Sequence, residues 1–382
     1  MFARAEGCWR SRMGLLLALL LVGALSLLSL SSVKAATVDT EGDTGAYWKE
    51  FLSSKKGHAW FEQWNTLMQA KFEELAMIAE SDAAREVAAA RGEDPSAKPY
   101  RILMVGDSTM RHQFGAVCGF LAERPGKRFD PNVKQTGKSG GCCVDTADGD
   151  GGGRGLCFEY DKHRFFNPEH VGKLHVDAFY FGCGLHLLHM TPLRPLEALR
   201  TQEWLAYEHL LEDTVAAVRE RNGPGVKIAF MTTHTIASQV FRGEFADIRD
   251  AYRKEPGNDA ILAACNDRIK EVTNGDPMEI SYLEGKILLE GYPKGEDEFT
   301  PDAYCRDGLL DRHGTLQLNR RAKDVMMKVG VPIVDAGRIV EGQTWATKPE
   351  DGRHFAPLVP LELYTMLGVL TSPLPPPCHP GA

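Results

Sequence analysis

The stretch Tyr100 to Leu121, Y-R-I-L-M-V-G-D-S-T-M-R-H-Q-F-G-A-V-C-G-F-L, decides how the chain reads. Ile102 to Val105 is an apolar run without helical period, which predicts a buried strand of a parallel sheet. Gly106-Asp107-Ser108 interrupts it. From Thr109 to Leu121 the apolar residues Met110, Phe114, Val117, Cys118 and Leu121 recur mostly at helical spacing, giving one buried face. Ser108 therefore stands where a strand becomes a helix, beyond the carboxyl end of the sheet, where open α/β folds place their ligands. The amides of the helix's first turn can face a developing negative charge there. Two readings stand on this stretch alone: Asp107 or Ser108 caps the helix, or Ser108 is a nucleophile.

Downstream the same alternation continues. Val176 to Phe181 predicts a strand that runs into Gly182-Cys183-Gly184-Leu185-His186, with His189 beyond. Glycines at a strand end let backbone amides approach a ligand, so Gly182 or Gly184 is a candidate second oxyanion donor. His186 and His189 have no matching acidic pair, which favours packing or substrate contact over a metal. Trp204 to Arg221 predicts an amphipathic helix and Val226 to Thr232 a buried strand ending at Thr233-His234. Helices over Asn258 to Val272 and Leu316 to Val329, and a short strand over Pro332 to Val334, follow. Such alternation predicts an α/β fold with a mostly parallel sheet and crossover helices.

Upstream, Ala46 to Arg91 predicts a helical stem rich in aromatic residues, read as a lid or collar, with Gly92 to Pro99 as the boundary turn. The first residues combine Arg4, Arg10 and Arg12 with an apolar run from Met13 to Leu30 and then Val33-Lys34-Ala35. This is a cleaved signal peptide or a type II membrane anchor, and either sends the rest of the chain into the secretory pathway, to the Golgi or outside the cell. The expected divisions are residues 1–36, the stem 37–98, a catalytic domain 99–370 and a proline-rich tail 371–382.

Eight cysteines follow the apolar run, most of them expected in disulfides of unassigned connectivity. The Gly-rich and Cys-rich segment from Arg124 to Cys157 reads as a disulfide-pinned surface loop. Its Asp148 to Glu159 imitates a calcium loop but lacks the fifth-position ligand, and Cys142-Cys143 has no partner at zinc-like spacing, so no metal is expected. The net charge of −8, without a basic run, argues against a nucleic-acid partner.

Near the other end lies Asp351-Gly352-Arg353-His354-Phe355, before an apolar helical stretch from Leu361 to Leu370. An aspartate and a histidine three apart face the same way on one turn. The carboxylate then holds one imidazole nitrogen protonated and frees the other to take a proton from Ser108. Taken alone, Asp351 as a helix cap and His354 as a loop residue is the simpler reading. Asp311-Arg312-His313 is a rival acid and imidazole pair without the preceding strand and loop.

Gly106-Asp107-Ser108 with Arg111 and Gln113, and Asp351-x-x-His354, resemble the two blocks of the PC-esterase branch of SGNH hydrolases, which contains the plant trichome-birefringence-like polysaccharide O-acetyltransferases. The resemblance implies a three-layer α/β sandwich with an N-terminal helical stem. It also implies a Ser108, His354 and Asp351 triad and acyl transfer onto carbohydrate. Ester hydrolysis is the alternative, and a non-catalytic glycan-binding protein is a further one. It implies no cofactor beyond an acetyl donor as co-substrate. Asp107, Gly182, Gly184 and His186 fall in its oxyanion or substrate blocks. The family's asparagine is missing from the block matching Gly182 to His186, and Arg111, one turn after Ser108, is the candidate substitute.

Overall fold

The structure is a computed structural model and describes residues 55–94, 98–124, 129–130, 139–145, 155–162, 167–185, 202–223, 225–237, 240, 242, 312–347 and 351–372. The expected N-terminal anchor, residues 148–154 of the calcium-like loop, His186, His189, the helix over Asn258 to Val272 and residues 373–382 of the proline-rich tail lie outside the described residues. Among the described residues no helix is long and apolar enough to cross a membrane.

In chain order the elements begin with α1 (Lys55–Ala79), α2 (Asp82–Ala90), β1 (Tyr100–Gly106), α3 (Ser108–Ala122), β2 (Phe129–Asp130), β3 (Ser139–Val144) and β4 (Leu156–Lys162). They continue with α4 (Pro168–Val171), β5 (Ala178–Gly182), α5 (Gln202–Asn222), β6 (Lys227–Met231), α6 (Arg312–Lys328), β7 (Ile333–Val334), α7 (Ala336–Val340) and α8 (Val359–Thr371). Two 3₁₀ turns, Thr344–Ala346 and Ala356–Leu358, flank the Asp351 turn.

One mixed sheet has the order β2-β3-β4-β1-β5-β6-β7. Strands β4, β1, β5, β6 and β7 are parallel, and β3 runs antiparallel between β2 and β4. The chain leaves β1 for β4 on one side and returns to β5 on the other. The carboxyl ends of β1 and β5 thus flank a topological switch point, the usual ligand crevice of such sheets.

The apolar runs without helical period are explained by burial on both faces. Ile102 and Met104 of β1 join Ala178 and Tyr180 of β5 in one core, covered by α1, α3 and α8. Leu103 and Val105 join Phe179, Phe181, Ile228 and Phe230 in a second core, covered by α5 and α6. Alternate residues of each strand serve opposite layers, so every position must be apolar.

Two expectations change. The segment read as a surface loop up to Cys157 contains β3, and β4 begins at Leu156, so it extends the sheet instead of decorating it. Adjacent strand residues point to opposite faces. Cys142 accordingly bonds Cys118 of α3, whereas Cys143 bonds its cross-strand partner Cys157. The stem also does more than cover. Met68, Phe72, Leu75 and Ala79 of α1 are fully buried in the same core as β1 and α3.

Candidate active site

Ser108 is the first residue of α3, and Asp107 is its N-cap. The Asp107 carboxylate accepts from the Thr109 amide at 2.9 Å and from the Thr109 hydroxyl at 2.7 Å. Capping and nucleophile placement are therefore not rivals: Asp107 satisfies the helix start and leaves the Ser108 side chain free of that duty. The Tyr160 hydroxyl donates to the Asp107 carbonyl at 3.1 Å, and burial raises its pKa, so it keeps the proton it donates.

Gly106 and Gly182 are paired partners at the ends of β1 and β5. A Cβ on Gly106 would run into the Gly182 carbonyl, and one on Gly182 would lie 2.7 Å from the Met231 carbonyl. The two strand ends close on each other through bare backbone, which brings the turn at Ser108 close against β5.

His354 arrives from the far end of the chain. Its Nε2 is 2.7 Å from Ser108 Oγ, and its Nδ1 is 2.6 Å from Asp351 Oδ2. A carboxylate only accepts, so Nδ1 carries the proton and Nε2 accepts from the serine hydroxyl. Burial raises the Asp351 pKa, but the hydrogen bond and charge of His354 and the Arg353 guanidinium outweigh it, leaving the carboxyl below its ordinary value. Arg353 Nε donates to the second Asp351 oxygen at 3.0 Å. Gly352 makes this tight turn possible with φ 59, a left-handed conformation that other residues rarely adopt.

The structure thus brings Ser108, His354 and Asp351 together and puts Asp107, Gly106 and Gly182 beside them. Arg111 is exposed one turn after Ser108, and its amide donates to the Asp107 carbonyl at 3.1 Å. Gly184 is buried, and a Cβ there would run into Leu318, Thr233 and Tyr207. The rival residue Asp311 lies outside the described residues, and no group of three potential metal ligands occurs among the described ones.

Four residues of the site were not singled out from sequence. His112 stacks on His354 with ring centroids 4.8 Å apart and an interplanar angle of 23°. Partial burial, then the charges of His354 and Arg111, push its pKa down to about 4. Its signal was the i,i+4 spacing from Ser108 on the predicted helix. Arg353 sat unread inside the Asp351 turn. His234 and Glu362 are buried behind that turn, and nothing local in the sequence marks their meeting.

No family model matches the chain, and no curated protein matches it. Among solved structures the chain is similar to a DUF4886 family protein from Bacteroides uniformis. That match has a TM-score of 0.34 and 11% identity, and it covers 74% of this chain and 88% of that one.

Proposed function

We propose that the chain is a serine-dependent acyltransferase of the SGNH, PC-esterase-like kind, moving an acetyl group onto carbohydrate in the secretory pathway. The observation that carries this reading is the hydrogen-bonded chain from Ser108 Oγ through His354 to Asp351, built from two remote segments at a sheet's switch point. The choice of carbohydrate rests on the resemblance of the Gly106-Asp107-Ser108 and Asp351-x-x-His354 blocks, and the compartment on the N-terminal apolar run.

In this reading His354 Nε2 takes the Ser108 hydroxyl proton as Oγ bonds to the acetyl carbonyl carbon. The oxygen that gains the negative charge is held by the Ser108 amide, which has no acceptor within its own helix, and by Arg111 and the Gly184 amide. Collapse expels the donor's leaving group, which takes the proton back from His354. An acceptor hydroxyl then loses its proton to His354 and its oxygen bonds to the acetyl carbon; the bond to Ser108 Oγ breaks, and Oγ takes the proton back from His354. If water is the acceptor the product is free acetate.

The test is incubation of the full chain with a labelled acetyl donor and oligosaccharides, reading sugar-bound label against free acetate. Ser108→Ala is expected to lower acetyl release from p-nitrophenyl acetate by about 10³-fold or more with the fold intact. Unchanged release from folded Ser108→Ala sinks the reading, and free acetate with no labelled sugar selects hydrolysis.

A further inference from the structure

Behind the Asp351 turn runs a buried polar chain that none of the triad's own hydrogen bonds requires. Gln113, on the same helix as Ser108, donates from Nε2 to Glu362 Oε2 at 2.5 Å and contacts Met231 Sδ at 2.9 Å. Glu362 Oε1 lies 2.9 Å from His234 Nε2, a charge contact off the line of a hydrogen bond. His234 Nδ1 lies 2.8 Å from the Arg353 carbonyl, midway along the Asp351 to His354 turn. Gln113, Glu362 and His234 are each at most 1% exposed.

The protons can be placed from the partners. A carbonyl only accepts, so His234 Nδ1 must carry hydrogen. If that were the ring's single proton, the Nε2 lone pair would face a carboxylate oxygen across 2.9 Å, which is repulsive. A second proton, on Nε2, removes that repulsion and sets a charged imidazolium beside the Glu362 carboxylate. The His234 pKa agrees: burial lowers it, but the Glu362 charge and the Arg353 carbonyl outweigh that, and it ends above its ordinary value. Asp107 adds attraction from the same side, and His112 adds repulsion if charged.

The segment that carries His234 is rigid. Thr232 to Ala237 are all buried. Asn319 bonds both the Thr233 amide at 2.8 Å and its carbonyl at 2.7 Å, and Thr235 donates to the Gly337 carbonyl at 2.8 Å. From this platform two bonds reach the turn: His234 Nδ1 to the Arg353 carbonyl and the Ala237 amide to the Gly352 carbonyl at 2.9 Å. The His234 ring also meets Phe355 edge to face at 5.6 Å.

We propose that Gln113, Glu362 and His234 form a positioning chain that sets the Asp351 to His354 turn in register with the serine helix. The chain links the helix that carries the hydroxyl to the turn that carries the imidazole through the protein interior. Its catalytic consequence rests on the acyl-transfer reading, but its geometric role does not.

Fluorophosphonate labelling of Ser108 in the full chain is measured beside the far-downfield resonance of the His354 Nδ1 proton held by Asp351. His234→Phe keeps a ring against Phe355 and removes the donor. It is expected to label about 10- to 100-fold more slowly and to lose the resonance, with a folded circular dichroism spectrum. His234→Asn returns an N–H to the Arg353 carbonyl and is expected to label within about threefold of the unmodified chain. A folded His234→Phe that matches the unmodified chain in both readouts overturns the proposal. So does a folded His234→Asn slowed by more than about tenfold, which decides the matter if His234→Phe does not fold. Should the unmodified chain resist labelling, the acyl-transfer reading falls, and the resonance in His234→Phe still decides the positioning role.

Discussion

His354 is fixed at three points: Asp351 at Nδ1, Ser108 at Nε2, and the His112 ring against its face. Asp351→Asn removes the charge that holds the tautomer, and the labelling rate of Ser108 is expected to fall by about 10³- to 10⁴-fold with the fold kept. His112 gives a pH signature with a definite sign. Its pKa is about 4 in the folded protein against an ordinary 6.5, so the unfolded chain takes up a proton that the native state refuses. The His112 contribution to stability is full above about pH 6.5 and falls as pH drops toward 4. Asp351 acts in a separate, lower window, because its stabilisation is present above 3.8 and is lost only as pH falls through its still lower folded value. Urea midpoints of His112→Gln are expected to fall less between about pH 7 and pH 4.5 than those of the unmodified protein. Ser108, Asp351 and His354 were legible because each sat in a motif with a reason for its spacing. His234 and Glu362 were not, since a lone buried histidine and a glutamate in an apolar helix look like ordinary core positions until the fold joins them.

Helix α3 carries Ser108 at one end and, near the other, Cys118, whose disulfide to Cys142 ties it to β3. The bridge closes a loop of 24 residues, and on chain entropy it stabilises by about 3 kcal/mol. The double variant Cys118→Ser with Cys142→Ser is expected to lose about that much in urea unfolding, while Ser108 in the folded fraction labels at an unchanged rate. Strands β1, β5 and β6 were legible from their apolar runs, because beyond Arg101 of β1 and Lys227 of β6 burial on two faces keeps the positions apolar. Strands β3 and β4 were hidden for a physical reason. Glycines and cysteines dominate β3, while β4 is secured by parallel pairing with β1, a long-range contact that no local pattern reports.

Across the whole molecule the layer of α1, α3 and α8 shows why the stem cannot be treated as an accessory. Phe72 meets Phe158 of β4 edge to face at 6.0 Å, and Trp64 meets Tyr364 of α8 at 6.3 Å. Phe72→Ala is expected to cost about 3 to 5 kcal/mol in urea unfolding, with the labelling rate of the folded protein unaltered. The alanine-rich, aromatic-rich pattern announced a helix but not its depth, because the surface it covers belongs to strands and helices much later in the chain. The same distance in sequence governs when the reactive centre comes into being. Ser108 and His354 are 246 residues apart, so during synthesis the hydroxyl leaves the ribosome long before its imidazole has been made. A nascent or misassembled chain carries a serine of ordinary alcohol reactivity. Acylating power, in the reading given above, is switched on only by completed assembly, which spares neighbouring molecules from a half-made catalyst.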